Sequence, residues 1–135
     1  MLCILSSVDQ STNVWLIKNG KKSALVNVLF VCSRNQWRSP TAEQVFRRGY
    51  AINVRSAGTA SSAKRVISAQ DLTWADLVCV MEHKHKQRIC AAFPRLVQFK
   101  TIVVLDIPDD YQYMDDELIE LLKTSVTPLI SQSDA

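Results

Sequence analysis

The chain has 135 residues, of which 47% are hydrophobic and 21% charged, the proportions of one ordinary globular domain and not of a disordered or fibrous chain. Its net charge of +3 is small and its basic residues are dispersed, which argues against a nucleic-acid-binding face. No apolar run approaches the roughly 18 residues of a membrane-spanning helix.

Residues 1–25 stand apart. Asn13 to Lys18 alternates loosely, Asn19-Gly20 suits a hairpin turn and Lys21 to Val26 can return as a second strand. The segment reads as an added arm or hairpin, or as a misplaced translation start with Val26 as the true initiator. A domain is expected over 26–130, followed by a frayed tail at 131–135.

Asn27 to Cys32 is a short, β-branched apolar run and predicts a buried strand. Ser39 and Pro40 predict a helix start, with Ser39 as N-cap and Pro40 at the first helical position, and the helix is expected to run to about Tyr50. Ala42, Val45, Phe46 and Gly49 would form its sheet-facing side. Ile52 to Ser56 predicts a second strand, closed by Ser56-Ala57-Gly58-Thr59, where Gly58 suits a turn with positive φ. A short helix is expected around 63–70, with another turn near 71–75. Asp76 to Met81 is a third, fully buried strand, with Cys79 read as core. Glu82 to Phe93 follows as a helix with His85, Ile89 and Phe93 on one stripe, stopped by Pro94. His83 and His85 cannot share a helical face and are read as solvated, without a metal role. Thr101 to Asp106 is a fourth strand, and an acidic loop leads into a last helix with Leu118, Ile119, Leu122 and Val126 buried. Strands alternating with helices predict an α/β fold with a parallel sheet. The order 2-1-3-4 would place a ligand beyond the carboxyl end of the first strand.

The loop between the first strand and helix carries the chemistry. Cys32 and Arg38 stand at its two ends, five residues apart. A strand-to-helix loop of this kind turns backbone N–H groups inward into an anion nest, helped by the helix dipole. Ser33, Arg34, Asn35, Gln36, Trp37, Arg38 and Ser39 would make up this phosphate-binding loop. A cysteine at its mouth is favoured as the thiolate nucleophile. Arg38 can grip two phosphate oxygens, and the Ser39 hydroxyl can donate to the sulfur. The modest positive charge suits an anionic substrate, with Arg34, Arg38, Arg47, Arg48 and Arg55 in or near this region. A leaving oxygen needs a proton, and the acidic loop after the fourth strand offers Asp106, Asp109 and Asp110. The four cysteines, Cys3, Cys32, Cys79 and Cys90, fit neither a zinc pattern nor a disulfide framework, which points to a reducing cytoplasm.

The stretch Val31-Cys32-Ser33-Arg34-Asn35-Gln36-Trp37-Arg38-Ser39-Pro40-Thr41-Ala42-Glu43 resembles the signature loop of the low-molecular-weight protein tyrosine phosphatases. Ser56-Ala57-Gly58-Thr59, Ala75 to Met81 and Asp106 to Tyr111 extend the likeness in the same order. The resemblance implies the flavodoxin-like 2-1-3-4 sheet with helices on both faces. It also implies a phosphomonoester hydrolase that forms a cysteinyl-phosphate, acts on phosphotyrosine in proteins or on small aryl phosphates, and uses no cofactor. It assigns the general acid to Asp109 and an aromatic substrate wall to Tyr111, and it gives Ser56 a supporting role beside Asn35. The chain departs from the pattern at Arg34, where glycine is usual, at Trp37, where a second cysteine is usual, and at Asp110, where proline is usual. Trp37 and Ser33 are therefore expected to reshape substrate choice, and the segment after Gly58 is shorter than usual. A phosphocysteine carrier, an inactive phosphate-binding module and, less well, an arsenate reductase are the rival readings.

Overall fold

The computed structural model describes residues 26–130; the segment 1–25, read as an arm, hairpin or misplaced start, and the tail 131–135 lie outside the described residues. Four strands form one parallel sheet: β1 (Val26–Cys32), β2 (Ile52–Gly58), β3 (Leu77–Val80) and β4 (Thr101–Val104). Their order is β2-β1-β3-β4, as the alternation of elements predicts. The helices are α1 (Arg38–Phe46), α2 (Ala69–Trp74), α3 (His83–Ala92) and α4 (Asp116–Ile130), with a 3-10 turn at Leu96–Phe99.

β1 is central and covered on both sides, which explains its unbroken apolar run. Side chains alternate across a strand. Val26, Val28, Phe30 and Cys32 join one core with Phe46, Leu118, Leu122 and Val126. Leu29 and Val31 join the other, with Leu72, Ile89 and Val97. Phe46 stacks on Phe30 at 5.7 Å between ring centroids, and Tyr50 meets Phe46 edge-on at 4.8 Å. Cys32 ends β1 opposite Gly58 of β2. The nucleophile candidate therefore stands at the carboxyl edge of the sheet, where the strand order reverses direction.

Several local expectations are corrected. α1 begins at Arg38 with Trp37 at its N-cap, two residues earlier than a Ser39 cap would give. The Ser39 hydroxyl is engaged with Cys32 and Asn35 instead. Pro40 falls at the third helical position, where the N–H that proline lacks would have had no intrahelical partner. The helix ends at Phe46, short of Tyr50, and Gly49 adopts φ +82 in the turn that follows rather than sitting on a buried helical face. The helix expected around 63–70 is absent there; a helix forms instead at Ala69–Trp74, over the turn expected near 71–75, because Ser68 supplies the N-cap and accepts from the Asp71 N–H at 3.3 Å.

Gly58 does not have positive φ among the described residues; closeness is what excludes a side chain there. A Cβ would lie 2.5 Å from the Ala63 Cβ, 2.6 Å from the Ser33 carbonyl oxygen and 3.0 Å from the Arg34 carbonyl carbon. The segment 59–67 can approach the loop after β1 only because of that missing atom.

His85, expected to be solvated, is fully buried. The sequence signal was its place on the stripe with Ile89, which packs in the core. The Glu82 backbone N–H donates to His85 Nδ1 at 3.0 Å. A neutral ring therefore carries its proton on Nε2, which donates to Ser33 Oγ at 2.9 Å. Burial, followed by the positive charge of Arg38, pushes the imidazole down from 6.5 to about 4, with Glu82 opposing and Lys84 and Arg88 adding to the shift.

Two outcomes follow from these contacts. Gly58→Ala should destabilise the fold by about 1–3 kcal/mol, read from urea unfolding, since two of the three nearest atoms are backbone. The His85 contribution is present above pH 6.5, where folded and unfolded chains both hold a neutral ring, and is lost as the pH falls toward about 4. His85→Gln should cost about 1–2 kcal/mol at neutral pH yet flatten the fall in stability across that window. An unchanged pH dependence in the variant would show that another group controls it.

Candidate active site

The loop from Cys32 to Arg38 is held from outside. The N–H groups of Thr59, Ala60 and Lys64 donate to the carbonyls of Cys32, Ser33 and Arg34 at 3.0, 2.9 and 3.0 Å. In a trans peptide the C=O of one residue and the N–H of the next point in opposite directions. Three carbonyls tied outward therefore turn the N–H groups of Ser33, Arg34 and Asn35 inward. Asn35 shows the result, its N–H donating to Cys32 Sγ at 3.2 Å. Its φ of 55 lies in the left-handed region, where asparagine is among the residues best tolerated.

The sulfur sits between two donors. Ser39 Oγ lies 3.0 Å from Cys32 Sγ. Asn35 Nδ2 donates to Ser39 Oγ at 3.0 Å and to Ser56 Oγ at 2.9 Å. Ser56 in turn donates to Glu43 Oε1 at 2.5 Å. Asn35, Ser39 and Ser56, the three expected supporting residues, are thus joined in one buried network behind the loop. Because Ser39 accepts from Asn35, its own proton has two acceptors in reach, the sulfur at 3.0 Å and the Ala57 carbonyl at 3.4 Å, and a thiolate draws it to the sulfur. Arg65 donates to the Ser56 carbonyl at 2.6 Å and pairs with buried Asp71, which also takes Arg55 at 3.4 Å. Neither Asp71 nor Arg65 was singled out in the sequence, yet they fix the segment that holds the loop.

Arg38 is 2% exposed and reaches across to the other strand ends. Its Nη1 donates to Glu82 Oε1 at 2.8 Å and to the Ile107 carbonyl at 2.9 Å, while Nε lies 3.6 Å from Asp109 Oδ1. Glu82 went unremarked in the sequence as a site residue. Burial opposes its ionisation, but the hydrogen bond and charge of Arg38, with the charge of Lys84, hold its carboxyl below the usual range. It is the fixed counter-charge that lets an arginine be buried at the loop.

Cys32, Ser33, Arg34, Gln36, Trp37, Arg38 and Asp109 line one cavity of about 510 Å³, completed by Ala60, Ser62, Lys84 and Arg88. Asp109 is 62% exposed in its side chain and faces the cavity from the loop after β4, where Asp106 turns the chain with φ 61. Trp37 is 39% exposed at the mouth. Asp110 is not part of this lining. Tyr111, expected on the substrate wall, is not part of it either: its hydroxyl donates to Glu117 at 3.0 Å and its ring packs on the α4 core. Arg47 pairs with Glu43 and Arg55 lies over Trp74 at 4.3 Å. The basic residues at the cavity are therefore Arg34 and Arg38 with Lys84 and Arg88, and not Arg47, Arg48 or Arg55.

Cys79, paired in register with Phe30, lies two residues behind Cys32 and one strand over. Strand rise and spacing put their Cα atoms about 8 Å apart, beyond disulfide reach of about 7 Å. Burial pushes its thiol up to about 12, so it is core, as read. Among the described residues no group of three or more His, Cys, Asp or Glu is placed to hold a metal ion, and no helix is long and apolar enough to cross a membrane.

Residues 27–67 match the family described as low molecular weight phosphotyrosine protein phosphatase. The protein-arginine-phosphatase of Bacillus subtilis (strain 168) is 30% identical over 139 aligned positions, covering 73% of this chain and 93% of that protein. Among solved structures, an arginine phosphatase in which a serine replacing the active-site cysteine is phosphorylated superposes with a TM-score of 0.61. It is 26% identical, over 77% of this chain and 95% of that one. The tyrosine phosphatase Wzb from Escherichia coli K30, in complex with phosphate, superposes at 0.66 with 20% identity, over 81% and 99% of the two chains, and speaks to the fold alone. With its 2-1-3-4 parallel sheet, its cysteine at the carboxyl end of β1 and these relatives, the chain belongs to the low molecular weight phosphotyrosine protein phosphatase family of cysteine-dependent phosphatases.

Proposed function

We propose that this phosphatase hydrolyses phosphotyrosine in proteins, with Cys32 as nucleophile, Arg38 as phosphate clamp and Asp109 as general acid. The observation that carries the reading is the convergence of Cys32, Arg38 and Asp109 on one cavity, with Asn35 and Ser39 donors on the sulfur. Cys32 attacks phosphorus in line. The inward N–H groups and the Arg38 guanidinium take the charge of the equatorial oxygens as it develops. Asp109 gives its proton to the departing phenolate and then draws one from the water that releases phosphate from sulfur. Glu82 keeps Arg38 in place through this cycle, so the clamp does not depend on its 3.6 Å contact with Asp109. Ser39 stabilises sulfur as the leaving group of the second step. A reducing compartment such as the cytoplasm suits this chemistry, because only the thiolate reacts.

Phosphoarginine is the second reading, favoured by the arginine phosphatase among the relatives. Both substrates offer a flat leaving group that Trp37 can cover. They differ in charge: a guanidinium entering the cavity would meet Arg34, Lys84 and Arg88 against a single aspartate, Asp109, on the lining. That balance favours the phenol.

Hydrolysis of para-nitrophenyl phosphate under reducing conditions should fall at least about a thousandfold in Cys32→Ser. A folded wild-type protein without this activity would overturn the reading. A phosphotyrosine peptide should be turned over faster than its phosphoarginine counterpart, and the reverse ranking would assign the enzyme to arginine. Asp109→Ala should lower kcat on an alkyl or unactivated aryl phosphate by about a hundredfold, and much less on para-nitrophenyl phosphate, whose leaving group needs little help. Asp110→Ala should stay within about threefold on both; the opposite ranking of the two variants would move the acid to Asp110.

A further inference from the structure

We infer that the mouth of the catalytic cavity is a second anion subsite, and that the enzyme selects phosphorylated segments carrying acidic residues beside the phosphorylated side chain. The inference rests on the phosphotyrosine reading and adds to it a preference for flanking charge.

The basic groups at the cavity fall into two sets. Arg38 is buried and neutralised by Glu82 and Asp109. Arg34, Lys84 and Arg88 are exposed on the same lining and have little to neutralise them. Arg34 and Arg88 form no ion pair among the described residues. Lys84 reaches Glu82 only at 3.8 Å, and that carboxylate is already held by Arg38 at 2.8 Å.

Their placement is unfavourable for folding alone. Lys84 and Arg88 stand four residues apart on α3, where like charges repel, and α3 contains no acidic residue to separate them. Lys84 also lies in the first turn of α3, the positive end of the helix dipole. Arg34 occupies a position of the catalytic loop where its side chain adds no hydrogen bond to the supporting network. Three cations from two separate elements thus line one opening, and two further lining residues, Ala60 and Ser62, are small and uncharged. The short segment after Gly58 leaves that side without bulk. A phosphate on Cys32 is already served by Arg38 and the loop N–H groups, so the charge at the mouth is available to something else on the substrate. A glutamate or aspartate next to the phosphorylated residue has the right charge and reach.

The test compares three phosphotyrosine peptides, flanked by glutamate, alanine or lysine, with wild type and with Lys84→Glu/Arg88→Glu. Turnover of the alanine-flanked peptide, and its loss in Cys32→Ser, reports on the phosphotyrosine reading. The ratio of kcat/KM between glutamate-flanked and lysine-flanked peptides reports on the mouth. In wild type the ratio should be about tenfold at low salt, carried by KM, and should shrink at high salt as exposed charges are screened. The double variant should invert it. Arg88→Glu alone, one helical turn further from Glu82, should cut the ratio by about threefold and keeps the test decisive if the double variant folds poorly. A wild-type ratio near one, or a ratio unchanged by both variants, would overturn the inference.

Discussion

Everything at this site depends on a set of carbonyl groups facing away from it. Thr59, Ala60 and Lys64 draw the carbonyls of Cys32, Ser33 and Arg34 outward, and planarity of the peptide unit does the rest. The loop thereby presents donors at its centre without any side chain having to supply them. The same constraint explains why Gly58 has no side chain: the segment that pulls on the carbonyls must lie against the loop, and a Cβ would push it away. It also explains the buried Asp71, which with Arg65 and Ser68 fixes that segment at its far end. The cradle is therefore built from the 59–71 region as much as from the loop itself.

A cradle of donors with a buried arginine has an electrostatic problem when no anion is bound. The structure answers it on the other side of β1. β3 ends beside β1, and the α3 start that follows delivers Glu82 to Arg38 and His85 to Ser33. One residue holds charge and the other does not. Glu82 is kept ionised by the arginine it neutralises. His85 is kept neutral by burial and by that same arginine. A neutral imidazole adds no repulsion to the loop and fixes a single hydrogen-bond direction toward Ser33. Because the backbone N–H of Glu82 occupies Nδ1, there is one way for the ring to sit.

The parts of this arrangement that were legible in the sequence were those written in consecutive residues. The β-branched run before Cys32, the Cys32 to Arg38 spacing and the Ser39-Pro40 step fixed the strand, loop and helix order and the edge of the sheet that would carry the cavity. Contacts between distant segments were not legible. Nothing in Glu82 or Asp71 as single residues distinguishes a buried counter-charge from a solvated one, because the difference lies in which arginine the fold brings near. His85 shared a helical stripe with Ile89, and the stripe was a better guide than the general habit of histidines. Gly58 was given the wrong reason, since a close approach looks the same as a turn until the neighbouring segment is in place. Tyr111 sits where an aromatic wall was expected in sequence, but the hydroxyl finds Glu117 and the ring finds the α4 core.

Trp37 stands immediately before Arg38, so the loop carries no thiol besides Cys32. Cys79 is too far along the neighbouring strand, and Cys90, expected from the sequence to lie outside any disulfide, is disulfide-bonded and packs against the opposite face of the sheet. A sulfenic acid formed on Cys32 thus has no internal cysteine among the described residues to condense with, and the next oxidation, to sulfinic acid, is open to it. A small thiol that reduces this sulfur would reach it through the cavity that the substrate also uses.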